Sequence, residues 1–112
     1  MNILIQGGGR GIGAALARRA LAEGTDRLFI TARDPGNSPS YAELVSDRRV
    51  TFLPLDVTDD AGICKAAAAI KDAVPKLDRV ICTSGMLKAD GVNPEKRVAD
   101  LNSENLVRLY RV

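Results

Sequence analysis

Residues 3–24 have the sequence ILIQGGGRGIGAALARRALAEG, which predicts a strand, a glycine turn and a helix in direct succession. Three apolar residues, Ile3-Leu4-Ile5, precede the glycines, and a short run of this kind is typical of a strand buried on both faces. After the turn, apolar residues recur at helical spacing until Gly24, which predicts the end of the helix. The predicted apolar face of this helix consists of Ile12, Ala15, Leu16, Ala20 and Leu21.

Strands and helices alternate along the rest of the chain. Further strands are predicted at residues 28–31, 50–55 and 79–83, and helices at residues 41–45, at residues 59–74 and from Ser103 onward. The third strand contains Pro54, which cannot donate a ladder hydrogen bond, so we expect this strand at a sheet edge. The alternation predicts right-handed crossovers and a doubly wound α/β fold built on one parallel sheet. Because no linker or low-complexity tract interrupts it, residues 1–112 are predicted to form one domain.

The helix that follows the third strand has its own start and packing signals. Thr58 is the predicted N-cap, and Asp59 and Asp60 favour the amino end of a helix because of its dipole. Cys64 on this helix and Cys82 on the fourth strand are predicted to be packing residues rather than reactive thiols. The predicted apolar face of the helix consists of Ile63, Ala66, Ala67, Ile70 and Val74.

Composition excludes several classes of function. The chain has 112 residues, 46% of them hydrophobic and 27% charged, a balance that fits one globular domain. Its formal charge is +2 with both signs interspersed, and it has only two Phe and two Tyr, so neither a basic stripe nor a base-stacking platform for nucleic acid is predicted. Because the chain has no histidine, a Ser-His-Asp relay is excluded, as are most zinc sites.

Two further features indicate the compartment. The two cysteines form no C-x-x-C pair, which suits a reducing cytosol. The apolar stretch at the amino terminus is too short for a signal peptide or a membrane span. We therefore expect a cytoplasmic protein that contacts no membrane.

The glycine turn, GGGRGIG at residues 7–13, lies between a strand and a helix, which is the context of a phosphate-binding turn. Glycines let backbone N–H groups approach a pyrophosphate at the positive end of the helix dipole. A Walker A loop is excluded because Ala14 stands where that loop needs Lys. The spacing G-x-G-x-x-A can be aligned, but G-x-x-x-G-x-G through Gly7, Gly11 and Gly13 is preferred because it starts where the strand ends. A glycine turn that binds nothing is the alternative.

Three motifs follow one another in the order that a known family has them. Residues 6–13, QGGGRGIG, resemble a T-G-x-x-x-G-x-G turn with Gln6 in place of Thr, and residues 55–59, LDVTD, resemble an adenine-contacting D-V segment. Residues 82–85, CTSG, stand in place of N-N-A-G, with both asparagines replaced. The chain thereby resembles the short-chain dehydrogenase/reductase family, and from Pro94 onward it is similar to the carbonyl-reductase and C-factor-like branch.

The resemblance implies a Rossmann-type sheet of four strands in the order 3-2-1-4. It covers the whole chain but only about the amino-terminal half of such an enzyme, so we expect a domain cut at its carboxyl end. In that order the fourth strand is the second edge of the sheet and exposes unpaired backbone groups. We therefore expect self-association or pairing with a complementary chain segment.

The resemblance also implies NADP(H) as the cofactor. Arg33 closes the second strand beside the expected adenosine ribose, where a guanidinium can pair with the 2′-phosphate of NADP. Arg10, inside the glycine turn, supplies a second cation, whereas a shift of one residue would place Asp34 at the ribose and favour NAD. Asp56 can equally be a turn residue before the helix. No metal site is predicted. The predicted cofactor-binding residues are Gly7, Gly9, Arg10, Gly11, Ile12, Gly13, Arg33, Asp56, Val57, Thr83, Ser84 and Gly85.

Catalysis in the resembled family depends on a Ser, a Tyr-x-x-x-Lys pair and an Asn. Tyr41 is followed by Val45 four residues on, and Tyr110 by only two residues, so the chain contains no Tyr-x-x-x-Lys. We predict no catalytic residue in this chain and no turnover by it alone. Three hypotheses remain: the NADP-binding part of an oxidoreductase acting on a carbonyl or alcohol substrate, a nucleotide-binding module without catalysis, and a protein-interaction module.

Overall fold

The computed structural model describes residues 1–83, which form one parallel sheet with helices on both faces. Its strands are β1 (Asn2–Gln6), β2 (Arg27–Ala32), β3 (Val50–Pro54) and β4 (Arg79–Cys82). Its helices are α1 (Gly11–Ala22), α2 (Tyr41–Val45) and α3 (Asp60–Ala73), and a 3-10 turn covers Pro35–Asn37. The predicted helix from Ser103 onward lies outside the described residues.

The strand order is β3-β2-β1-β4, and every neighbouring pair is parallel. Ile5 of β1 is aligned with Ile30 of β2 and with Ile81 of β4. Pro54 ends β3 at the edge of the sheet, where its missing N–H removes no ladder bond. The predicted doubly wound order and the edge position of β3 are therefore confirmed.

The face of the sheet under α1 and α2 holds the larger core. Large side chains come from the strands, and α1 contributes a stripe of glycine and alanine. Small side chains let a helix pack close to the strands, because interiors are filled to crystal density and a larger residue at the contact would hold the helix away. The buried residues of this core are Ile3, Ile5, Ala17, Ala20, Leu28, Ile30, Leu44 and Val50.

The predicted apolar face of α1 is therefore partly wrong. Ile12 is 76% exposed and Ala15 is also exposed, whereas Ala14 and Ala17 are buried. Leu16 and Leu21 are only half-buried at the margin of the core. Because α1 lies close to the sheet, its small residues rather than its largest ones are buried against the strands. The predicted stop at Gly24 is confirmed, with a φ of +87° that favours glycine.

The face under α3 is less completely buried. Phe29, Ile70 and Val74 are buried there, and half-buried leucines surround them. One of these is Leu4, so β1 is fully buried only on its α1 side, in contrast to the prediction for both sides. Ile63 is 39% exposed and also departs from the prediction. The half-buried leucines are Leu4, Leu53 and Leu77.

Further corrections concern the start of α3 and the two cysteines. Asp59, not Thr58, occupies the N-cap of α3, because the Thr58 hydroxyl donates to Asp56 Oδ1 at 2.7 Å instead. Cys64 is exposed, as is its neighbour on the predicted face, Ala67. Cys82 is also exposed, and its strand β4 is an outer strand of the sheet within residues 1–83.

At the amino end of the sheet, Arg49 joins three parts of the chain. Its guanidinium donates to both carboxylate oxygens of Asp47, at 3.0 and 2.8 Å, and to the carbonyl oxygens of Leu21 and Thr25, at 3.1 and 3.3 Å. The hydrogen bonds from Arg49 to the Asp47 carboxylate lower the pKa of Asp47 from 3.8 to about 2. Arg49 thereby fastens the end of α1 to the start of β3.

None of the helices within residues 1–83 is both long and apolar enough to cross a membrane.

Candidate functional site

The glycine turn connects the carboxyl end of β1 to α1. The preferred spacing, G-x-x-x-G-x-G, requires glycine at each of its three positions. Gly7 has a φ of +85° and Gly11 a φ of +56°, which side-chain-bearing residues rarely adopt. A Cβ at Gly13 would overlap the carbonyl oxygen of Gly7 and lie 2.8 Å from Thr83 Oγ1. The backbone therefore explains the spacing G-x-x-x-G-x-G position by position.

The first two glycines fasten the turn to β2. The N–H groups of Gly7 and Gly8 both donate to the Thr31 carbonyl oxygen, at 3.0 and 3.2 Å, and the Thr31 hydroxyl lies 3.3 Å from the Gly7 nitrogen. Sequence reasoning missed Thr31, which the structure buries; its only signal in the sequence is a polar residue at the end of an apolar strand. Its contacts depend on the pairing of β1 with β2.

The amino end of α1 presents unused donors. Ala14 N–H donates to Arg10 O at 3.3 Å, whereas within residues 1–83 no group accepts from the N–H of Gly11, Ile12 or Gly13. The first N–H groups of a helix have no intrahelical partner and carry the positive end of its dipole. Because Gly11 and Ile12 are exposed, an anion can approach these donors from solvent.

One arginine lies within this turn and another lies beside it. Arg10 is the N-cap residue of α1, and Arg33 follows directly after the last residue of β2; both are exposed. Neither forms an ion pair with another described residue. Asp34, the alternative residue at the ribose, instead accepts a hydrogen bond from the Asn37 side chain within its own loop. Arg10 and Arg33 therefore carry positive charge that no described residue pairs with.

Asp56 is a turn residue that follows the carboxyl end of β3, at the same end of the sheet as the glycine turn. Its Oδ1 accepts hydrogen bonds from the backbone N–H of Thr58 at 2.9 Å and from the Thr58 hydroxyl. These bonds lower the pKa of Asp56, and the positive charge of Arg33 lowers it further. The next residue, Val57, is half-buried and lines a groove of about 540 Å³ between α3 and the sheet, which also reaches Gln6.

Thr83 ties the end of β4 to the glycine turn. Its N–H donates to Gln6 O at 2.9 Å, and its hydroxyl lies within hydrogen-bonding distance of Gln6 O (2.9 Å) and Gly7 O (3.0 Å). The Gln6 side chain, which stands where the resembled turn has Thr, accepts from Cys82 Sγ at 3.2 Å. Of the sequence-predicted residues after this strand, Ser84 and Gly85 lie outside the described residues.

Most predicted site residues are thus brought to one edge of the sheet. The turn residues, Arg33, Asp56 and Thr83 all follow the carboxyl ends of strands, where parallel sheets bind ligands. No group of three or more Cys, Asp or Glu side chains converges as metal ligands within residues 1–83. With N–H groups that have no acceptor among the described residues, and with exposed guanidinium groups, the arrangement can hold an anionic ligand.

The chain matches the family model described as short chain dehydrogenase over residues 1–112. It is 34% identical over 90 residues to an uncharacterized oxidoreductase of Mycobacterium tuberculosis, Rv0945, an alignment that covers 78% of this chain and 36% of that protein.

Two solved structures from Pseudomonas aeruginosa are also similar. One is a carbonyl reductase from PAO1, with a TM-score of 0.74 and 25% identity, covering 100% of this chain and 50% of that chain. The other is the RhlG/NADP active-site complex, with a TM-score of 0.76 and 23% identity, covering 98% and 41%. This chain therefore spans half or less of the length of each of these proteins.

Proposed function

This chain belongs to the short-chain dehydrogenase family, and on that premise we propose that residues 7–13 bind the pyrophosphate of NADP(H) for an oxidoreductase reaction. One observation carries the proposal. Positive φ angles at Gly7 and Gly11, and the lack of space for a Cβ at Gly13, occur where β1 ends and α1 begins. A turn of this shape brings backbone donors within reach of phosphate oxygens.

The residues fit the cofactor by the space they leave and the charge they carry. At the turn, the N–H groups of Gly11, Ile12 and Gly13, which have no acceptor among the described residues, would hold the pyrophosphate. The adenosine end would lie along the loops after β2 and β3, where Arg33 and Val57 are found. When bound, NADP(H) supplies hydride transfer, and the residues of this chain supply binding and orientation.

The preference for NADP(H) over NAD(H) rests on Arg33 and Arg10. A phosphate monoester accepts charge-assisted hydrogen bonds from guanidinium groups, whereas the ribose hydroxyl of NAD would be better bound by a carboxylate. Asp34, the nearest such carboxylate in sequence, is engaged by Asn37. The similar fold of the RhlG/NADP complex supports the same cofactor.

The substrate is proposed to be a carbonyl compound or an alcohol. The similar carbonyl reductase supports this class. Because the 112 residues contain no Tyr-x-x-x-Lys, nothing in this sequence is assigned to the proton transfer that accompanies hydride transfer. We accordingly expect the 112-residue chain to bind the cofactor without turnover. The cytoplasmic location and the self-association at β4 also stay predictions.

Calorimetry with NADPH and NADH tests the cofactor assignment. We expect tighter binding of NADPH, and we expect Arg33→Ala to remove most of that preference, about 1–3 kcal/mol for charge-assisted bonds, while NADH affinity changes little. Arg48→Ala is the matched control, because Arg48 is also exposed but lies just before β3, at the opposite end of the sheet. Equal affinities for the two cofactors in the parent chain would contradict NADP(H), and no binding of either would contradict the cofactor site itself.

A further inference from the structure

The loop between β2 and α2, residues 33–40, lies over the glycine turn. Ser40 is buried, and its N–H donates to Gly9 O at 3.4 Å. The Ser40 hydroxyl accepts from Arg18 on α1 at 3.2 Å, and Arg18 also donates twice to the carboxylate of Glu43, at 2.8 and 2.9 Å. The loop is therefore fastened to both the turn and the first helix.

Ser38 of this loop occupies the space that a side chain at position 9 would need. A Cβ at Gly9 would overlap Ser38 Oγ and would lie 3.4 Å from the Cβ of Ala32, the last residue of β2. The Ser38 hydroxyl thus lies beside the turn and near the end of β2. The chain neighbours of Gly9 and Ala32 are the two cationic residues of the site, Arg10 and Arg33.

This hydroxyl is weakly engaged by the protein. Among the described residues its polar contact is with the carbonyl oxygen of Asp34 at 3.5 Å, which is at the limit of a hydrogen bond. Ser38 is half-buried, so the residue is still partly reachable from solvent. A charged acceptor that enters beside Arg10 and Arg33 would accept a stronger hydrogen bond from the Ser38 hydroxyl than Asp34 O does.

We propose that Ser38 is a specificity-determining residue whose hydroxyl donates to the 2′-phosphate of NADP(H). This inference rests on the proposed function, since it concerns the same bound dinucleotide. The loop after β2 then supplies the hydroxyl at a place where Gly9 of the turn itself has no side chain. NAD(H) carries no phosphate on that ribose, so Ser38 distinguishes the two cofactors by a donor that only one of them uses fully.

Substitution of the hydroxyl is the first test. In calorimetry on the 112-residue chain, Ser38→Ala is expected to weaken NADPH about tenfold, as for a lost hydrogen bond to a charged group, and to leave NADH within about twofold. Ser46→Ala is the matched control, because the Ser46 hydroxyl donates to Glu43 O in an exposed position after α2. It is expected to leave both affinities unchanged.

Moving the hydroxyl from the loop to the turn is the second test. The φ of Gly9 is not positive, so the overlap with Ser38 is what prevents a side chain there. Gly9→Ala should displace Ser38 and lower the NADPH preference as Ser38→Ala does. The double variant Gly9→Ser with Ser38→Gly should restore the preference to within about threefold of the parent, because it places one hydroxyl in the same space.

The outcomes separate the inference from the proposed function. An unchanged ratio of NADPH to NADH affinity in Ser38→Ala overturns the role of Ser38 while the cofactor site stands. A parent chain that binds neither cofactor, or that prefers NADH, overturns both. Circular dichroism checks the fold of each variant, and if the double variant does not fold, the Ser38→Ala ratio decides alone.

Discussion

The two faces of the sheet are packed to different degrees. On the α1 side, Ile5 and Leu28 have no exposed surface, and α1 rests on the strands through alanines. On the α3 side, Val80 is 55% exposed, and the groove of about 540 Å³ runs beside α3. Helix α1 joins the neighbouring strands β1 and β2, whereas α3 runs from β3 to β4, the two outer strands of the described sheet, so topology contributes to the difference.

The two helices also begin differently. Gly13, in the first turn of α1, leaves no room for a Cβ against Gly7 and Gly8, so the glycine turn forces α1 close to the sheet. In α3, a Cβ at the corresponding Gly62 would meet only the Asp59 side chain, at 3.0 Å. On the α1 side, Gly13 therefore links the candidate site to the packing of the core.

The largest expected effect comes from emptying the tighter core. Ile5→Ala should lower the free energy of unfolding by about 2–5 kcal/mol, because Ile5 is fully enclosed and its removal leaves a cavity. Ile63→Ala, the matched change on the α3 side, should cost less than about 1 kcal/mol, since Ile63 is 39% exposed. Urea unfolding measures both. Equal losses would break the contrast between the two faces.

A pair of glycine substitutions tests the proposed coupling of core and site. Gly13→Ala should destabilise the fold by about 1–3 kcal/mol through overlap with the turn backbone, and it should also weaken NADPH binding. Gly62→Ala should raise stability by up to about 1 kcal/mol, because the Asp59 side chain can move aside and alanine favours helix. Thermal unfolding and calorimetry are the measurements. Normal NADPH affinity in folded Gly13→Ala would argue against the coupling.

Acid should loosen the α1 side through Asp47. Its pKa is lowered to about 2 by hydrogen bonds from Arg49, so this pair stabilises the fold above the ordinary pKa of 3.8, and the contribution is lost as pH falls toward 2. Asp47→Asn should flatten the stability profile between about pH 4 and 2. Asp78→Asn is the comparison variant, because it removes a carboxylate that does not contact Arg49. Asp78 lies just before β4, and its pKa is lowered chiefly by the N–H of Asn2. If Asp47→Asn has the same pH profile as the parent, the Arg49 contact does not hold α1 in solution.

The smallest effect is expected at Cys64. Cys64→Ser should change the free energy of unfolding by no more than about 0.5 kcal/mol, because the side chain is exposed on α3. Labelling of the native protein with a thiol reagent should also modify Cys64 without unfolding it. A protected thiol, or a large loss of stability, would restore the buried position predicted from the sequence.

Sequence reasoning succeeded where the signal is local. A glycine run after a β-branched strand, Pro54 in a strand, and Gly24 after a helix each reflect backbone angles or a missing N–H, which do not depend on distant residues. It failed for Ile12, Thr58 and the two cysteines. The burial of Ile12 and of the cysteines depends on how a helix or strand lies in the sheet. The role of Thr58 depends on which group accepts the hydrogen bond of its hydroxyl.

By itself, the sequence determined the order of the elements, the glycine turn at residues 7–13 and the arginines beside it, because periodicity and glycine content act over a few residues. Only the tertiary structure decided which atoms surround that turn. Thr83 reaches Gly7, and Ser38 stands over Gly9, across long stretches of chain. Parallel strands bring their carboxyl ends to one edge whatever their separation in sequence, and no local pattern records which side chain then faces which.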